Sequence, residues 1–273
     1  MDIKGKVAVI TGAGSGIGEA AVMELASRGV KAVAMVDIDR RVEELVPKVE
    51  SRGMGHLTKA WPYVGDVTDC SFRKAVFADL AERGEVPTIC IPAAGITRDA
   101  LSVKRDRSTG EMTVFPIEDF EAVVRTNLVS PVYWGLEMIA AIASDRTHRS
   151  LSQWGPEERI QGTIIFVGSV SAQGNKGQLA YAATKSGLEG AAATITKEAM
   201  FYGVRCGVIH PGFTDTAMVQ KLDDEFIQKH IIPHTQLRRL IRPEEIADAI
   251  CFMVTNSAVS GQLWADAGWH PAA

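Results

Sequence analysis

The chain has little that would tie it to a membrane, a metal or a nucleic acid. Its four cysteines, Cys70, Cys90, Cys206 and Cys251, are scattered, with no C-x-x-C and no His/Cys spacing. That excludes a disulfide framework and a zinc site, and predicts buried thiols in a reducing compartment. No apolar run approaches the ~18 residues of a membrane span. The start, MDIKGKVAVITG, lacks the basic, apolar and small-residue succession of a secretory leader, so the cytoplasm is the expected location. Lys and Arg number 29 against 33 Asp and Glu, for a net charge of −4, and form no block or stripe. Nucleic acid is therefore not an expected partner. Repeats, low-complexity segments and linkers are missing too, which leaves one domain over 1–273 as the expectation.

What is present is ample core material, at 46% hydrophobic residues over 273 positions. Short β-rich runs alternate with helix-length amphipathic ones. VAVITG (7–12), AVAMVD (32–37), WPYVGD (61–66), TICIPA (88–93), GTIIFVGS (162–169), VRCGVIHPG (204–212) and QLWADA (262–267) read as strands. Helices are expected over 17–28, from residue 40, and over 119–143 and 180–201. Near-continuous apolar strands alternating with helices predict an α/β fold: a doubly wound, Rossmann-type parallel sheet of about seven strands, with helices on both faces. Two polar, charge-rich segments, 102–113 and 145–161, interrupt the rhythm. They read as solvated loops, or as an active-site rim or subunit contact, the latter suggested by Trp154.

Gly12, Gly16 and Gly18 of TGAGSGIG (11–18) stand where the first strand turns into a helix. Such a junction needs a tight turn, close backbone approach to a pyrophosphate and free N–H groups at the helix start, so it suits a dinucleotide. Asp37 ends the second strand, where a carboxylate accepts ribose hydroxyls and repels a 2′-phosphate. The loop itself holds Ala13, Ser15 and Ile17 and no cation. NAD is therefore expected over NADP, although Arg40 and Arg41 lie close enough to meet a phosphate, and Asp37 also suits a helix cap. Asp66 closes the third strand before Val67, where it would meet the adenine edge or cap a helix starting near Asp69.

Tyr181 and Lys185 are i and i+4 on a predicted helix and share a face. A phenol with pKa near ~10 is a poor acid–base group at neutral pH, and a neighbouring ammonium would favour the phenolate. Ser169 ends the fifth strand, on the side where parallel sheets bind ligands. The set suits proton transfer between an alcohol and a ketone.

TGAGSGIG, GDVTD (65–69), AAGI (93–96), Asn127 in RTNLVS, GSVS (168–171), YAATK (181–185) and HPGFTDT (210–216) together resemble the short-chain dehydrogenase/reductase family, over essentially the whole chain. The resemblance implies an enzyme acting on a small-molecule ketone or alcohol. Tyr181 would be the acid/base, Ser169 would hold the substrate oxygen, and Lys185 would bind the nicotinamide ribose and lower the Tyr181 pKa. Asn127 would hold a relay water where a helix bends. Thr216 would meet the carboxamide, with Pro211, Gly212 and Thr214 beside it. Ser15, Ile17, Val67, Ala94 and Gly95 would line the dinucleotide. No metal is implied, and a homotetramer built through the long helices is. Two departures stand out: Ala93 replaces the usual Asn, and Ser169 precedes Tyr181 by one residue fewer than is common, which makes Ser171 a competitor. GITRDAL (95–101) and GNKGQLAYAATKSGLEG (174–190) resemble the 3-oxoacyl-[acyl-carrier-protein] reductases, which usually prefer NADPH. With Asp37, this predicts an NAD-linked relative acting on a 3-oxoacyl thioester or another secondary alcohol. An idle NAD(H)-binding sensor is the alternative. Gln173, Leu179, Phe213 and Met218 are the expected substrate wall, and 214–234 a substrate lid or an ordinary surface helix.

Overall fold

The computed structural model describes residues 1–53 and 58–269. Strand β1 (Val7–Thr11) is buried along its whole length, as suits β-branched residues at the centre of a sheet covered on both sides. It is followed by α1 (Gly16–Ser27), β2 (Ala32–Asp37), the short α2 (Arg41–Glu44) and α3 (Val46–Arg52), β3 (Lys59–Val64), α4 (Cys70–Glu82) and β4 (Ile89–Pro92). A hairpin of β5 (Val103–Arg105) and β6 (Met112–Val114) comes next, then α5 (Ile117–Val124) and α6 (Ser130–His148). The last third holds β7 (Gly162–Val167), α7 (Leu179–Ala199), β8 (Val204–Pro211), α8 (Asp224–Phe226), α9 (Pro243–Thr255) and β9 (Gly261–Ala265).

Among the described residues, seven strands form one sheet in the order β3-β2-β1-β4-β7-β8-β9, with every pairing parallel. The chain winds outward from β1 to β3 and then, from β4, in the opposite direction. This is the doubly wound Rossmann-type sheet expected, and its reversal opens a crevice beyond the carboxyl ends of β1 and β4. Alternate side chains divide between two cores. Ala8 and Ile10 join Leu25 of α1 and Ile250 of α9. Val9 joins Leu80 of α4, Trp134 and Met138 of α6, and Leu188 of α7.

The structure departs from the sequence reading in three places. Segment 102–113 is no loop: it carries the hairpin, whose three-residue strands are exposed on both faces and so show no hydrophobic alternation. The helix expected over 119–143 is two helices joined by a π turn at Arg125–Val129, and the second runs on to His148, into the supposed loop. The remainder of 145–161 is largely exposed, as a solvated loop, and is tied down at a few points. Arg146 is buried and pairs with Glu158 through two hydrogen bonds of 2.6 and 3.0 Å, while the Trp154 N–H donates to the Phe201 carbonyl at 2.8 Å. The Trp154 ring occupies the space beside Gly203, just before β8, at the end of the sheet away from the crevice. Finally, Cys70 is exposed in the first turn of α4, whereas Cys90, Cys206 and Cys251 are buried as free thiols.

Candidate active site

The crevice is a cleft of about 650 Å³ whose wall includes every predicted dinucleotide residue from Gly12 to Thr216, together with Ser169. Its floor begins at the glycine loop. Gly12 has a φ of +67°, and a Cβ on it would stand 2.7 Å from the Ala94 amide nitrogen. A Cβ on Gly18 would run into the Gly12 carbonyl oxygen. Only glycine lets these three backbones meet. Ser15 makes no side-chain cap at the start of α1, so the first-turn N–H groups have no side-chain acceptor there. The cradle fits a pyrophosphate.

Asp37 is pinned at the end of β2: Oδ2 accepts from Gly14 N–H at 2.8 Å and Oδ1 from Asp39 N–H at 2.9 Å. It caps no helix, since α2 begins at Arg41 after Arg40. The two arginines beyond it face carboxylates, Arg40 on Glu43 at 3.3 Å and Arg41 on Asp39 at 2.8 Å. Asp66 likewise caps no helix. Its Oδ1 accepts from the Thr68 amide and hydroxyl, both at 2.8 Å, and Asp69 caps α4 instead. The Val67 carbonyl beside it is held by Ser130 Oγ at 2.9 Å and Trp134 Nε1 at 3.0 Å.

On the opposite wall, α7 presents Tyr181 and Lys185 one turn apart. Lys185 is buried, donates to the Val167 carbonyl at 2.7 Å, and has Nζ 5.3 Å from the Tyr181 ring centroid. Burial without a carboxylate partner lowers its pKa to about 8. Without the nicotinamide ring that the expected lowering also relies on, the Tyr181 phenol is pushed up to about 12. Burial is the main cause, the nearby Ser169 hydroxyl opposes it, and the Asp99 carboxylate adds to the rise.

Ser169 precedes the short 3₁₀ turn Val170–Gln173 in extended conformation, and its Oγ accepts from the Ser171 N–H at 3.1 Å. The Ser171 hydroxyl is committed elsewhere, donating to Gln178 Oε1 at 2.8 Å. Asn127 lies in the π turn, behind the cleft, with Nδ2 donating to the Ile96 carbonyl at 2.8 Å and Oδ1 accepting from Ile96 N–H at 2.9 Å. The bend expected at this residue is therefore a π bulge, a feature frequent at functional sites.

The expected substrate wall is half displaced. Phe213 and Met218 line the cleft, but Gln173 and Leu179 do not; both are exposed, Leu179 at 45%. The 3₁₀ turn and the start of α7 rotate them outward. Gln178, Asp99, Arg98 and Asn175 stand there instead. Gln178 Nε2 donates to Asp99 at 2.9 Å, an approach built by pairing of Ala100 with Gln178. The clue for Gln178 was its place three residues before Tyr181; for Asp99 the sequence held none. Of 214–234, residues up to Leu222 share in the wall, while the following α8 and its π turn bury Ile227 and Ile231. Among the described residues no group of three or more His, Cys, Asp or Glu could hold a metal.

A glycine cradle at the switch point of a doubly wound sheet, facing a Ser–Tyr–Lys set, defines an oxidoreductase that works with a nicotinamide dinucleotide. Residues 6–226 match the family model described as short chain dehydrogenase, and the chain belongs to the short-chain dehydrogenase/reductase family. It is similar to the 3-oxoacyl-[acyl-carrier-protein] reductase FabG of Thermotoga maritima, at 32% identity over 96% of both chains. It also resembles an acetoacetyl-CoA reductase of Synechocystis, at 31% identity over 99% and 98% of the two chains. A further relative is the (3R)-3-hydroxyacyl-CoA dehydrogenase of Canis lupus familiaris, at 29% identity over 94% and 92%. Among solved structures, a candidate gluconate dehydrogenase of Agrobacterium tumefaciens superposes with a TM-score of 0.81, at 25% identity, over 100% of this chain and 98% of that one.

Proposed function

We propose that this chain reduces a 3-oxoacyl thioester to the secondary alcohol with NADH, through one domain that carries both the dinucleotide and the substrate sites. The observation that carries the reading is the convergence of Ser169, Tyr181 and buried Lys185 on one cleft beyond the carboxyl end of β7. A phenol with pKa near 12 is protonated at neutral pH and is the acid that a developing alkoxide requires. Ser169, with its Oγ fixed by the Ser171 amide, holds the substrate oxygen against that acid. The bound dihydronicotinamide supplies the hydride, and Lys185 binds its ribose. The names of the reductase relatives support the thioester; a non-thioester secondary alcohol is the other reading, favoured by the polar wall of Asn175, Gln178 and Asp99.

Asp37 supports NADH. Its carboxylate is locked at the ribose end of the cradle, and Arg40 and Arg41 are turned to carboxylates of their own. A homotetramer belongs to the same reading, supported by the exposed apolar residues Val129, Tyr133 and Leu136 along the π turn and α6. No helix among the described residues is long and apolar enough to cross a membrane.

The test is oxidation of NADH and of NADPH by acetoacetyl-CoA, with the starting chain and with Asp37→Ala. Turnover is expected with NADH, and Asp37→Ala should erode the NADH preference about tenfold or more. A preference for NADPH, or a ratio that Asp37→Ala leaves unchanged, would refute the cofactor assignment. In the same assay Ser169→Ala should lose about a hundredfold in kcat. Ser171→Ala, whose hydroxyl faces Gln178, should lose far less; the reverse order would move the oxygen-binding role to Ser171.

A further inference from the structure

His210 is the penultimate residue of β8, yet it lies behind the cleft wall and not in it. Its ring is fully buried and stacks on the Trp264 indole, with centroids 4.2 Å apart at an interplanar angle of 16°. Nδ1 stands 3.0 Å from the backbone oxygen of Ser169 and 3.3 Å from its backbone nitrogen. Gly168 permits the approach, since a Cβ there would fall 2.6 Å from Nδ1. Beyond the ring, Nε2 lies 3.5 Å from the Glu189 carboxylate. Glu189 is on α7, one turn past Lys185 and two past Tyr181, so the helix that carries the proton-transfer pair also carries this carboxylate.

The last paired residues of β7 and β8 are Val167 and Ile209, and the Gly168 N–H still reaches the Ile209 carbonyl at 2.7 Å. Ser169 is the next residue out, where the strand ladder ends and the imidazole takes its place. Either state of Nδ1 serves: protonated, it donates to the Ser169 carbonyl; bare, it accepts from the Ser169 N–H. Its contacts run to the backbone, so the ring does not activate the hydroxyl as a nucleophile.

We propose that His210, backed by Glu189, is a positioning residue that fixes the Ser169 backbone and so aims its Oγ at the substrate oxygen. This rests on the reading of Ser169 given above. Two substitutions separate the ring's two ends. His210→Asn places an amide near the position of Nδ1 and gives up Glu189, whereas His210→Gln reaches toward Glu189 and gives up Ser169. Three quantities are measured for both variants, with Ser169→Ala alongside: acetoacetyl-CoA turnover, NADH affinity by fluorescence, and deuterium uptake of the segment spanning 167–173. His210→Gln is expected to fall at least about tenfold below His210→Asn in kcat, at similar KM and NADH affinity, with faster uptake over 167–173 in the Gln variant only. Equal kcat and equal uptake in the two variants would overturn the assignment, as would a kcat loss matched by a loss of NADH affinity. Full turnover by Ser169→Ala would refute the serine reading instead. In that case, or without thioester turnover, the uptake comparison alone decides whether His210 holds this segment.

Discussion

Tyr181→Phe is expected to lose about 10³-fold or more in kcat, roughly 4 kcal/mol of transition-state stabilisation, while NADH binding changes little. The phenol shares the cleft wall with Ser169 and, with its pKa pushed up to about 12, holds a proton at neutral pH. Phenylalanine keeps the ring, and with it the face that Lys185 Nζ meets at 5.3 Å, so the cofactor pocket should survive the change. Stopped-flow hydride transfer and NADH fluorescence titration check the two halves separately. Loss of NADH binding in step with turnover would make Tyr181 a structural residue of the pocket.

Gly18→Ala should abolish dinucleotide binding and lower the thermal midpoint together. The added methyl would collide with the Gly12 carbonyl oxygen, a backbone atom on a loop that is itself pressed against Ala94. Neither partner is the free end of a flexible side chain, so relief requires α1 to move off the sheet. Overpacking of this kind costs about 1–3 kcal/mol where side chains can yield, and more where they cannot. It would also displace the helix start that faces the pyrophosphate. NADH titration and a melting curve with and without NADH measure both effects; an unshifted midpoint with normal NADH affinity would show that the loop has slack.

The parts of this architecture that a linear reading reaches are those set by one segment at a time. β1, β2 and β7 announce themselves through unbroken apolar runs because both faces are buried. Ser169 follows from its place just past such a strand, and Tyr181 with Lys185 from helical spacing. What stayed hidden depends on two segments meeting. Asp99 reaches Gln178 only because Ala100 pairs with it, and His210 reaches Ser169 only because β8 lies beside β7. The Tyr181 pKa belongs to the same group. Sequence supplies the neighbouring charge of Lys185, but the burial that raises the phenol's pKa comes from how α7 packs beside the cleft. Gln173 and Leu179 were misplaced for a local reason, the 3₁₀ turn that precedes α7.

The reversal of strand order between β1 and β4 also bears on how the chain reaches its native state. Ala8 lies beside Ile89, and Cys90 beside Ile164, so each central pairing joins segments far apart in sequence. Closures of that length lose chain entropy before any contact compensates, and topologies dominated by them assemble slowly. The dinucleotide residues come from the ends of β1, β2, β3, β4 and β8, with Tyr181 and Lys185 on the helix after β7, so a half-built sheet has no cradle to offer. The cofactor is thereby a ligand of the finished molecule alone. At a hundred times its dissociation constant it would shift the folding equilibrium by about 2.7 kcal/mol, which ties the lifetime of the folded chain to the nicotinamide pool around it.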